Sequence, residues 1–229
     1  MKLLRSGKVK FVYADGDDDV MIEFRDDITA GNGEKHDVLK GKGALLNAIN
    51  EIFFEKLSRY SIPNHYVRKL SENSFKAKKV EIVPLEVVVR NYAAGSFCRR
   101  YGIKKGVKIG PLVEFFVKND ELGDPLVCRN VAIRLGIANG EILNEAENIA
   151  LEVNDVVSKF LKDCGLILAD FKIEVGLHAN KLLVADEITP DTCRFWDANS
   201  FESLDKDVYR QSAGDPLVAY REVLRRLTN

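Results

Sequence analysis

The stretch LADFKIEVG, residues 168–176, decides how the second half of the chain folds. Side chains alternate between the two faces of a β-strand, so this stretch has one apolar face and one charged face. The apolar face is an ordinary core surface made of Phe171, Ile173 and Val175. The charged face carries Asp170, Lys172 and Glu174. Two carboxylates around a lysine indicate either a solvated edge or a site that handles a metal ion and phosphate groups.

The strand leads into a predicted β-hairpin whose returning strand is KLLVADEI, residues 181–188. This strand ends with Asp186 and Glu187, and the following loop adds Asp191 and Arg194. Divalent cations such as Mg2+ bind carboxylate oxygens, and closely packed carboxylates repel one another unless a cation offsets their charge. The hairpin is therefore a candidate cation site.

The register of this hairpin decides which carboxylate joins Glu174. If the numbers of paired residues add up to an even value, Asp186 faces the same side as Glu174, whereas a slip of one residue puts Glu187 there. The apolar pattern does not choose between the two. The even register buries Leu183 and Ala185 but turns their apolar neighbours towards the charged side.

A second charged segment is VPLEVVVRNYAAGS, residues 83–96. Glu86 interrupts an apolar strand that Arg90 ends, and charged side chains are rarely buried unless they are paired. A tight turn with Gly95 and the hydroxyl of Ser96 follows. Arginine, serine and free backbone amides together suit a phosphate or carboxylate group. A structural pair between Glu86 and Arg90 on a sheet surface is the alternative.

Two lysines follow Gly7 in SGKVKFVY, at the start of the first predicted hairpin. Lys8 and Lys10 are two residues apart, which predicts that they share one strand face. Glycine lets a backbone approach a phosphate closely, and lysine supplies positive charge. Ordinary exposed lysines at the start of a solvated strand would give the same pattern.

Hydrophobic periodicity divides the chain into two lobes. Residues 1–90 read mainly as strands, with one amphipathic helix over residues 45–60. Residues 91–229 contain a long amphipathic helix with Asn144 as its N-cap and Gly165 as its stop signal, followed by the charged hairpin and a final helix. This order predicts an α+β fold: an N-terminal lobe with an antiparallel sheet, a C-terminal lobe with the hairpin, and a ligand cleft between them.

Composition argues against several classes of protein. The 229 residues include 34 basic and 35 acidic side chains, so the chain lacks the basic excess of proteins that bind nucleic acids or membrane surfaces. Its four cysteines form no closely spaced pair, which argues against a structural zinc site or a disulfide framework. The sequence shows neither a signal peptide nor an apolar run that could span a bilayer. We expect a soluble, cytoplasmic protein.

Several segments resemble the signature segments of the phosphoribosylaminoimidazole-succinocarboxamide synthase family, the SAICAR synthetases of purine biosynthesis. The two longest are IVPLEVVVRNYAAGS and LADFKIEVG. The shorter ones are SGKVKFVY, DDITAGNGEK, KNDELGDP, DEITPDTCRFWD and DKDVYRQ. They follow one another in the family's order over nearly the whole chain. One departure is Cys193, which stands where a small hydroxyl or variable residue is expected.

The resemblance implies an ATP-dependent ligase with Mg2+ as cofactor. It implies three small-molecule substrates: ATP, L-aspartate and a carboxylated aminoimidazole ribonucleotide (CAIR). The products are SAICAR, ADP and phosphate, with an acyl phosphate of CAIR as the expected intermediate. The resemblance also implies a nucleotide-binding N-terminal lobe and a homodimer or higher homo-oligomer, with no nucleic-acid or membrane partner.

The resemblance further assigns roles to residues of this chain. The residues implied for the nucleotide are Lys8, Lys10, Lys79, Glu81 and Glu86, of which Lys79 and Glu81 belong to a segment, residues 78–83, whose backbone reads adenine. The implied metal ligands are Glu174 and Asp186, which calls for the even hairpin register. The implied catalytic residues are Lys172 and Asp191. The residues implied for CAIR and aspartate are Arg90, Ser96, Asp170, Lys172, Asp191, Arg194 and Arg210.

Two other functions fit the same residues. A small-molecule kinase of the inositol-phosphate type would also have two lobes, a lysine-bearing hairpin over the nucleotide and a metal-binding hairpin, but it would need no amine substrate. A nucleotide-binding module without catalysis is the third possibility. The presence of Lys172, Glu174 and Asp186 argues against it, because a protein that only binds has no need of them.

Overall fold

The computed structural model describes residues 1–229, apart from the side chain of Asn32. Its first sheet has five antiparallel strands: β1 (Leu3–Ser6), β2 (Lys10–Ala14), β3 (Asp19–Phe24), β6 (Tyr66–Lys69) and β7 (Ser74–Lys78). Their spatial order is β1-β2-β3-β7-β6. A separate ribbon consists of β4 (Asp27–Ala30) and β5 (Lys35–Val38). The predicted hairpin over residues 8–24 corresponds to β2 and β3.

The second sheet is built around one long central strand. Its strands are β8 (Glu81–Tyr92), β9 (Lys108–Val117), β10 (Leu126–Val127), β11 (Leu166–His178), β12 (Lys181–Ala185) and β13 (Cys193–Asp197). The order is β10-β9-β8-β11-β12, and β13 pairs with the first half of β11 on the side that β12 occupies further along. Residues 168–176 lie in β11 and so have paired strands on both sides.

Six α-helices complete the fold: α1 (Lys42–Arg59), α2 (Gly95–Tyr101), α3 (Arg129–Arg134), α4 (Gly140–Asp163), α5 (Asp207–Arg210) and α6 (Pro216–Leu227). The predicted mixture of helices with antiparallel sheets is confirmed. In the described part of the chain, no helix is both long and apolar enough to cross a membrane.

The core between α4 and the second sheet follows the predicted alternation along β11. Phe171, Ile173 and Val175 are buried in one cluster with the apolar face of α4. The helix begins five residues earlier than predicted, because Asn139 rather than Asn144 is its N-cap and accepts a hydrogen bond from the Ile142 amide at 2.8 Å. The longer helix covers more of the sheet.

The last helix returns to the first sheet. Asp215 caps α6 by accepting a hydrogen bond from the Leu217 amide at 2.8 Å. Ala219 and Tyr220 are buried against side chains of the first sheet, among them Phe75. The C-terminus of the chain therefore helps to hold the two sheets together.

The hairpin of β11 and β12 has the odd register, so the expected even register is wrong. Glu174 pairs with Ala185, and Val175 pairs with Val184. Val184 consequently joins the core beside Val175. Packing decided between two registers that the apolar pattern allowed equally.

The division between the lobes falls near the start of β8. The first sheet ends at Lys78, whereas β8 pairs only with β9 and β11 of the second sheet. Gly176 of β11 passes so close to the connecting segment that a Cβ there would lie 2.8 Å from a methyl group of Val80. The boundary at residue 90 stays a prediction, and strand pairing favours an earlier one at residues 79–80.

Candidate active site

A cavity of about 480 Å³ is lined by residues from both sheets. It brings together all predicted site residues except two: Lys8, Lys10, Glu86, Arg90, Ser96, Asp170, Lys172, Glu174, Asp186, Asp191, Arg194 and Arg210. The exceptions, Lys79 and Glu81, are exposed and are not part of this lining.

Lys8 precedes β2, so the prediction that Lys8 and Lys10 share one strand face is wrong. Both lysines nevertheless line the cavity.

Asp186 reaches the cavity because the backbone turns sharply where β12 ends. Its φ angle of 67° lies in the left-handed region and interrupts the alternation of side chains along the strand. The odd register alone would turn Asp186 away from the face of Glu174, and this turn brings its side chain back to the cavity. Its carboxylate forms an ion pair with Lys10, whose ammonium is also 3.0 Å from Glu187. The turn is supported by His65, whose Nε2 lies 3.1 Å from the Asp186 carbonyl oxygen. Burial lowers the pKa of His65 to about 4, so this imidazole is neutral at physiological pH.

Lys172 is held across two strands. Its Nζ lies 2.6 Å from a carboxylate oxygen of Glu86 on β8 and 3.8 Å from Glu174 on its own strand. Lys118, just beyond β9, forms a further ion pair with Glu174. Burial alone would lower the pKa of Lys172, but the carboxylates, first Asp186 and then Glu86, outweigh this effect and raise it. Lys172 therefore presents a charged ammonium to the cavity that it lines.

Two arginines share the carboxylate of Asp170. Arg90 and Arg194 each place Nη1 2.9 Å from the same oxygen. Arg90 also binds Glu114 through Nε, and Arg194 Nε lies 2.8 Å from Asp207. Each guanidinium is thus fixed by two carboxylates while its residue lines the cavity. A pair between Arg90 and the glutamate on its own strand, the alternative considered above, is wrong.

The AAGS turn packs against one of these guanidiniums. Gly95 has a φ angle of 52°, and a Cβ at this position would lie 2.4 Å from Nη2 of Arg194. Only glycine leaves room for this contact. Ser96 follows and lines the cavity, and its hydroxyl accepts a hydrogen bond from Arg100 at 3.1 Å.

Side chains from two helices, α1 and α6, bind the carboxylate of Asp191. Lys42 Nζ lies 2.7 Å from one carboxylate oxygen, and the Tyr220 hydroxyl donates to the other at 2.6 Å. Burial alone would raise the pKa of Asp191, but the charges of Lys206 and Lys42 lower it to about 2. Asp191 therefore remains ionised at the cavity wall.

Sequence reasoning missed several charged residues around the cavity: Lys42, Glu114, Lys118, Lys206 and Asp207. For Lys42 a signal exists. It lies four, seven and eleven residues before Leu46, Ile49 and Phe53, which are all buried, so it belongs to the buried stripe of α1. A lysine on such a stripe needs an anionic partner. Signals existed for the other four as well: Lys118, Lys206 and Asp207 lie within the segments KNDELGDP and DKDVYRQ, and Glu114 interrupts an apolar strand as Glu86 does.

Glu174 and Asp186 are suited to a hard cation. Burial raises the pKa of Glu174, and the negative charge of Asp186, which lines the same cavity, adds to this effect. Among the residues that the structure describes, no group of three or more His, Cys, Asp and Glu side chains could hold a metal ion. A pair of carboxylates fits Mg2+, which keeps several waters and takes other ligands from substrate phosphates.

Comparison with known proteins decides the family. A family profile described as SAICAR synthetase matches residues 3–227. The chain belongs to the SAICAR synthetase family. The resemblance noted in the sequence is therefore confirmed over almost the full length.

Individual SAICAR synthetases agree with this assignment. A phosphoribosylaminoimidazole-succinocarboxamide synthase from Methanocaldococcus jannaschii is 51% identical over 226 residues, covering 98% of this chain and 93% of the relative. The crystal structure of the enzyme of this name from Ehrlichia chaffeensis has a TM-score of 0.96 at 37% identity, covering 99% and 98% of the two chains. A SAICAR synthetase in complex with ADP has a TM-score of 0.95 at 43% identity, covering 98% and 97%.

These relationships confirm the main functional predictions. The chain is an enzyme of the SAICAR synthetase family, and its predicted role as an ATP-dependent ligase of purine biosynthesis is confirmed. The inositol-phosphate kinase alternative is not favoured.

Proposed function

We propose that this cavity joins L-aspartate to CAIR with the consumption of ATP. A carboxylate must gain a leaving group before an amine can displace one of its oxygens. Transfer of the γ-phosphoryl group of ATP to the CAIR carboxylate releases ADP and forms an acyl phosphate. The aspartate amine then attacks the carbonyl carbon, loses a proton and expels phosphate, which leaves the amide of SAICAR. Such a reaction collects many negative charges in one place, so it needs fixed cations.

The position of Lys172 carries this proposal. Its charged Nζ, held by Glu86, lies on the same cavity wall as Glu174 and faces a space that Lys10 and Arg90 also line. A phosphoryl group moving from ATP near Lys10 to CAIR near Arg90 would pass this ammonium. The ammonium offsets negative charge that is redistributed in the transition state.

The nucleotide is assigned to the side beneath the first sheet. Lys8 and Lys10 would hold the ATP phosphates, Glu86 would reach the ribose, and the segment that contains Lys79 and Glu81 would read adenine through its backbone. The exposure of the Lys79 and Glu81 side chains is compatible with recognition by backbone groups alone.

Mg2+ is assigned to Glu174 and Asp186. When bound, it would neutralise phosphate oxygens and act as a Lewis acid on the phosphoryl group. In the structure, Lys118 and Lys10 pair with these two carboxylates. The carboxylates are therefore already arranged among cations, next to the lysines that would hold the triphosphate.

The nucleotide substrate CAIR is assigned to the side lined by Arg90, Ser96 and Arg194, with Asp170 orienting both guanidiniums. The two guanidiniums are oriented by carboxylates of the protein, and their remaining N–H groups suit phosphate and carboxylate oxygens. Asp191 would position the amine of aspartate, and Arg210 would contact one of its carboxylates.

Self-association is part of the proposal. Exposed apolar side chains lie on β10, on α3 and directly after α3, with Leu126 43%, Val131 45%, Ile133 44% and Leu135 68% exposed. Where such side chains form a contiguous surface, they commonly mark protein interfaces. Sedimentation of the wild-type chain and of a Val131→Asp, Leu135→Asp double variant measures this directly, and a monomeric wild-type protein would contradict it.

The activity is tested by phosphate release from ATP. We expect release to require CAIR and L-aspartate together and to yield one SAICAR per ADP. ADP formation that needs CAIR, ignores aspartate and releases no phosphate would indicate a kinase, whereas phosphate release under the same conditions would indicate a hydrolase. Binding of ATP without any turnover would indicate a module that only binds nucleotides.

A further inference from the structure

The backbone of Asp186 is held in a conformation that few residues adopt. Its φ angle of 67° lies in the left-handed region, where an L side chain is crowded by its own backbone. Such conformations persist where surrounding contacts hold them, and they concentrate at functional sites. Asp186 reaches the cavity through this turn. The contacts that hold the turn therefore also determine where its carboxylate points.

One of these contacts comes from His65, in the segment between α1 and β6. Its Nε2 lies 3.1 Å from the carbonyl oxygen of Asp186. A carbonyl oxygen only accepts, so Nε2 carries the hydrogen and donates it to this bond. His65 is 2% exposed and is not part of the described lining of the cavity. Its contact with Asp186 is therefore one of support, made through the backbone.

The imidazole is itself fixed within the N-terminal lobe. Its ring packs against aromatic side chains of α1 and β7, with centroids 5.3 Å from Phe54 and 5.8 Å from Phe75. The amide of His65 donates to the Val184 carbonyl at 2.9 Å, and its carbonyl accepts from the Lys78 amide at 2.7 Å. The end of β12 is thus tied to the first lobe at the very residue that donates to Asp186.

The side chain of Asp186 is held from the same lobe. Lys10 of β2 forms an ion pair with its carboxylate. Asp186 therefore has its backbone fixed by His65 and its carboxylate fixed by Lys10, before any cation binds. Hydrogen bonds that orient a metal ligand in advance strengthen metal binding, because less conformational freedom is lost when the ion arrives.

We propose that His65 is a positioning residue for Mg2+: its hydrogen bond to the Asp186 carbonyl holds the left-handed turn that presents this carboxylate to the cation. This inference rests on the proposed assignment of Mg2+ to Glu174 and Asp186. Removing the bond should weaken Mg2+ binding and spare the binding of the nucleotide alone, since the imidazole donates to the metal ligand rather than to a residue assigned to the nucleotide.

Calorimetry of ADP binding to the full-length protein, with Mg2+ and with excess EDTA, tests this without turnover. We expect His65→Leu to raise the Mg2+ concentration that gives half of the metal effect roughly 10- to 100-fold, while ADP affinity in EDTA changes less than about twofold. An equal loss of ADP affinity with and without Mg2+ would overturn the inference, because His65 would then support the nucleotide site as a whole.

Two amide variants separate the hydrogen bond from packing. Glutamine ends in an N–H donor near the position of Nε2, whereas the donor of the shorter asparagine stops short of the Asp186 carbonyl. We expect His65→Gln to retain most of the Mg2+ affinity and His65→Asn to resemble His65→Leu. A His65→Gln protein that binds Mg2+ no more tightly than His65→Asn would overturn the inference. This comparison also stands if His65→Leu fails to fold.

A stability control uses Leu143→Ala, which opens a cavity in the core between α4 and the second sheet. Its melting temperature should fall, while its Mg2+ response should equal that of the wild type. A weakened Mg2+ response in this variant would show that general destabilisation loosens the metal site, and it would overturn a specific role for His65.

The same measurements separate the inference from the assignments on which it rests. A wild type whose ADP affinity does not depend on Mg2+ would refute the metal assignment, and the inference with it. A normal Mg2+ response in both the wild type and folded His65→Leu would refute only the role of His65. Absence of ligase activity in the wild type would refute the proposed function, while the binding comparison would still decide the role of His65.

Discussion

Lys42 and Asp191 form an ion pair 2.7 Å long that joins two segments 149 residues apart. The side chains are 0% and 3% exposed, so this pair is shielded from solvent. It connects the first turn of α1 to the cavity wall. Tyr220 of α6 binds the second oxygen of the same carboxylate. One carboxylate therefore ties an N-terminal helix, a C-terminal helix and the proposed catalytic loop together.

Breaking this pair should destabilise the protein strongly. Lys42→Met leaves Asp191 as a buried charge with only the Tyr220 hydrogen bond, and we expect a loss of about 3–5 kcal/mol of unfolding free energy. Urea denaturation measures the loss, with the exposed Lys159→Met as the control. An unchanged midpoint would mean that Lys206, 3.9 Å away, takes over as the partner.

Arg90→Lys should weaken CAIR more than ATP. Arg90 uses its Nε and Nη1 to bind Glu114 and Asp170, which leaves Nη2 for the ligand, and the single ammonium of lysine cannot serve all three partners. We expect CAIR affinity to fall by about 1.5–3 kcal/mol, measured by calorimetry beside Mg–ATP. Equal losses for both ligands would show that Arg90 only supports the sheet.

Lys172→Met should lower kcat by at least about 100-fold, the scale for removing one preorganised electrostatic donor. The affinity for Mg–ATP should change far less, since Lys8, Lys10 and the metal would carry most of it. kcat per active site and the melting temperature are measured together. Normal turnover in a less stable variant would show that Lys172 merely bridges Glu86 and Glu174.

Glu174→Gln should remove the dependence of nucleotide binding on Mg2+. The wild type should bind ADP more tightly with Mg2+ than with excess EDTA, because the metal would link the nucleotide phosphates to Glu174 and Asp186. In the variant the two affinities should converge. A variant that retains the full Mg2+ effect would exclude Glu174 as a ligand.

Asp205 should make stability depend on pH between about 4 and 7. Its carboxyl is fully buried, its Oδ1 accepts a hydrogen bond from the Asp207 amide at 2.7 Å, and its Oδ2 has no partner among the described residues. Burial, and then the charge of Asp207, raises its pKa from 3.8 to about 7. Between these values the folded protein holds a proton that the unfolded chain has lost, so this group's contribution falls as pH rises and then levels off.

Asp205→Asn keeps the acceptor and abolishes the ionisation. The stability of the variant relative to the wild type should therefore increase from pH 4 to pH 7, by at most about 4 kcal/mol, and stay constant above pH 7. Chemical denaturation at several pH values measures it, with exposed Asp155→Asn as the control. A difference that does not vary with pH would show that Asp205 has an ordinary pKa.

Local patterns along the sequence were sufficient for much of the fold. The alternation in β11 placed Phe171, Ile173 and Val175 in the core and Asp170, Lys172 and Glu174 on the opposite face, because strand periodicity is a property of the backbone itself. The apolar stripes of α1 and α4 were equally clear, although their first turns were missed. Several nearby residues, such as Asn139 and Asn144, could cap α4, so the sequence predicts the ends of a helix less accurately than the helix itself.

The sequence by itself also determined the family, since its long signature segments keep their order along the chain, and it pointed to twelve of the residues that line the cavity. Only the tertiary structure decided how these residues pair. Lys172 binds Glu86 from a neighbouring strand, Asp186 enters the cavity through a left-handed turn despite the odd register, and Lys42 meets Asp191 across 149 positions. Each of these contacts depends on the packing of segments that are far apart in the chain, and a pattern confined to one segment does not contain that information.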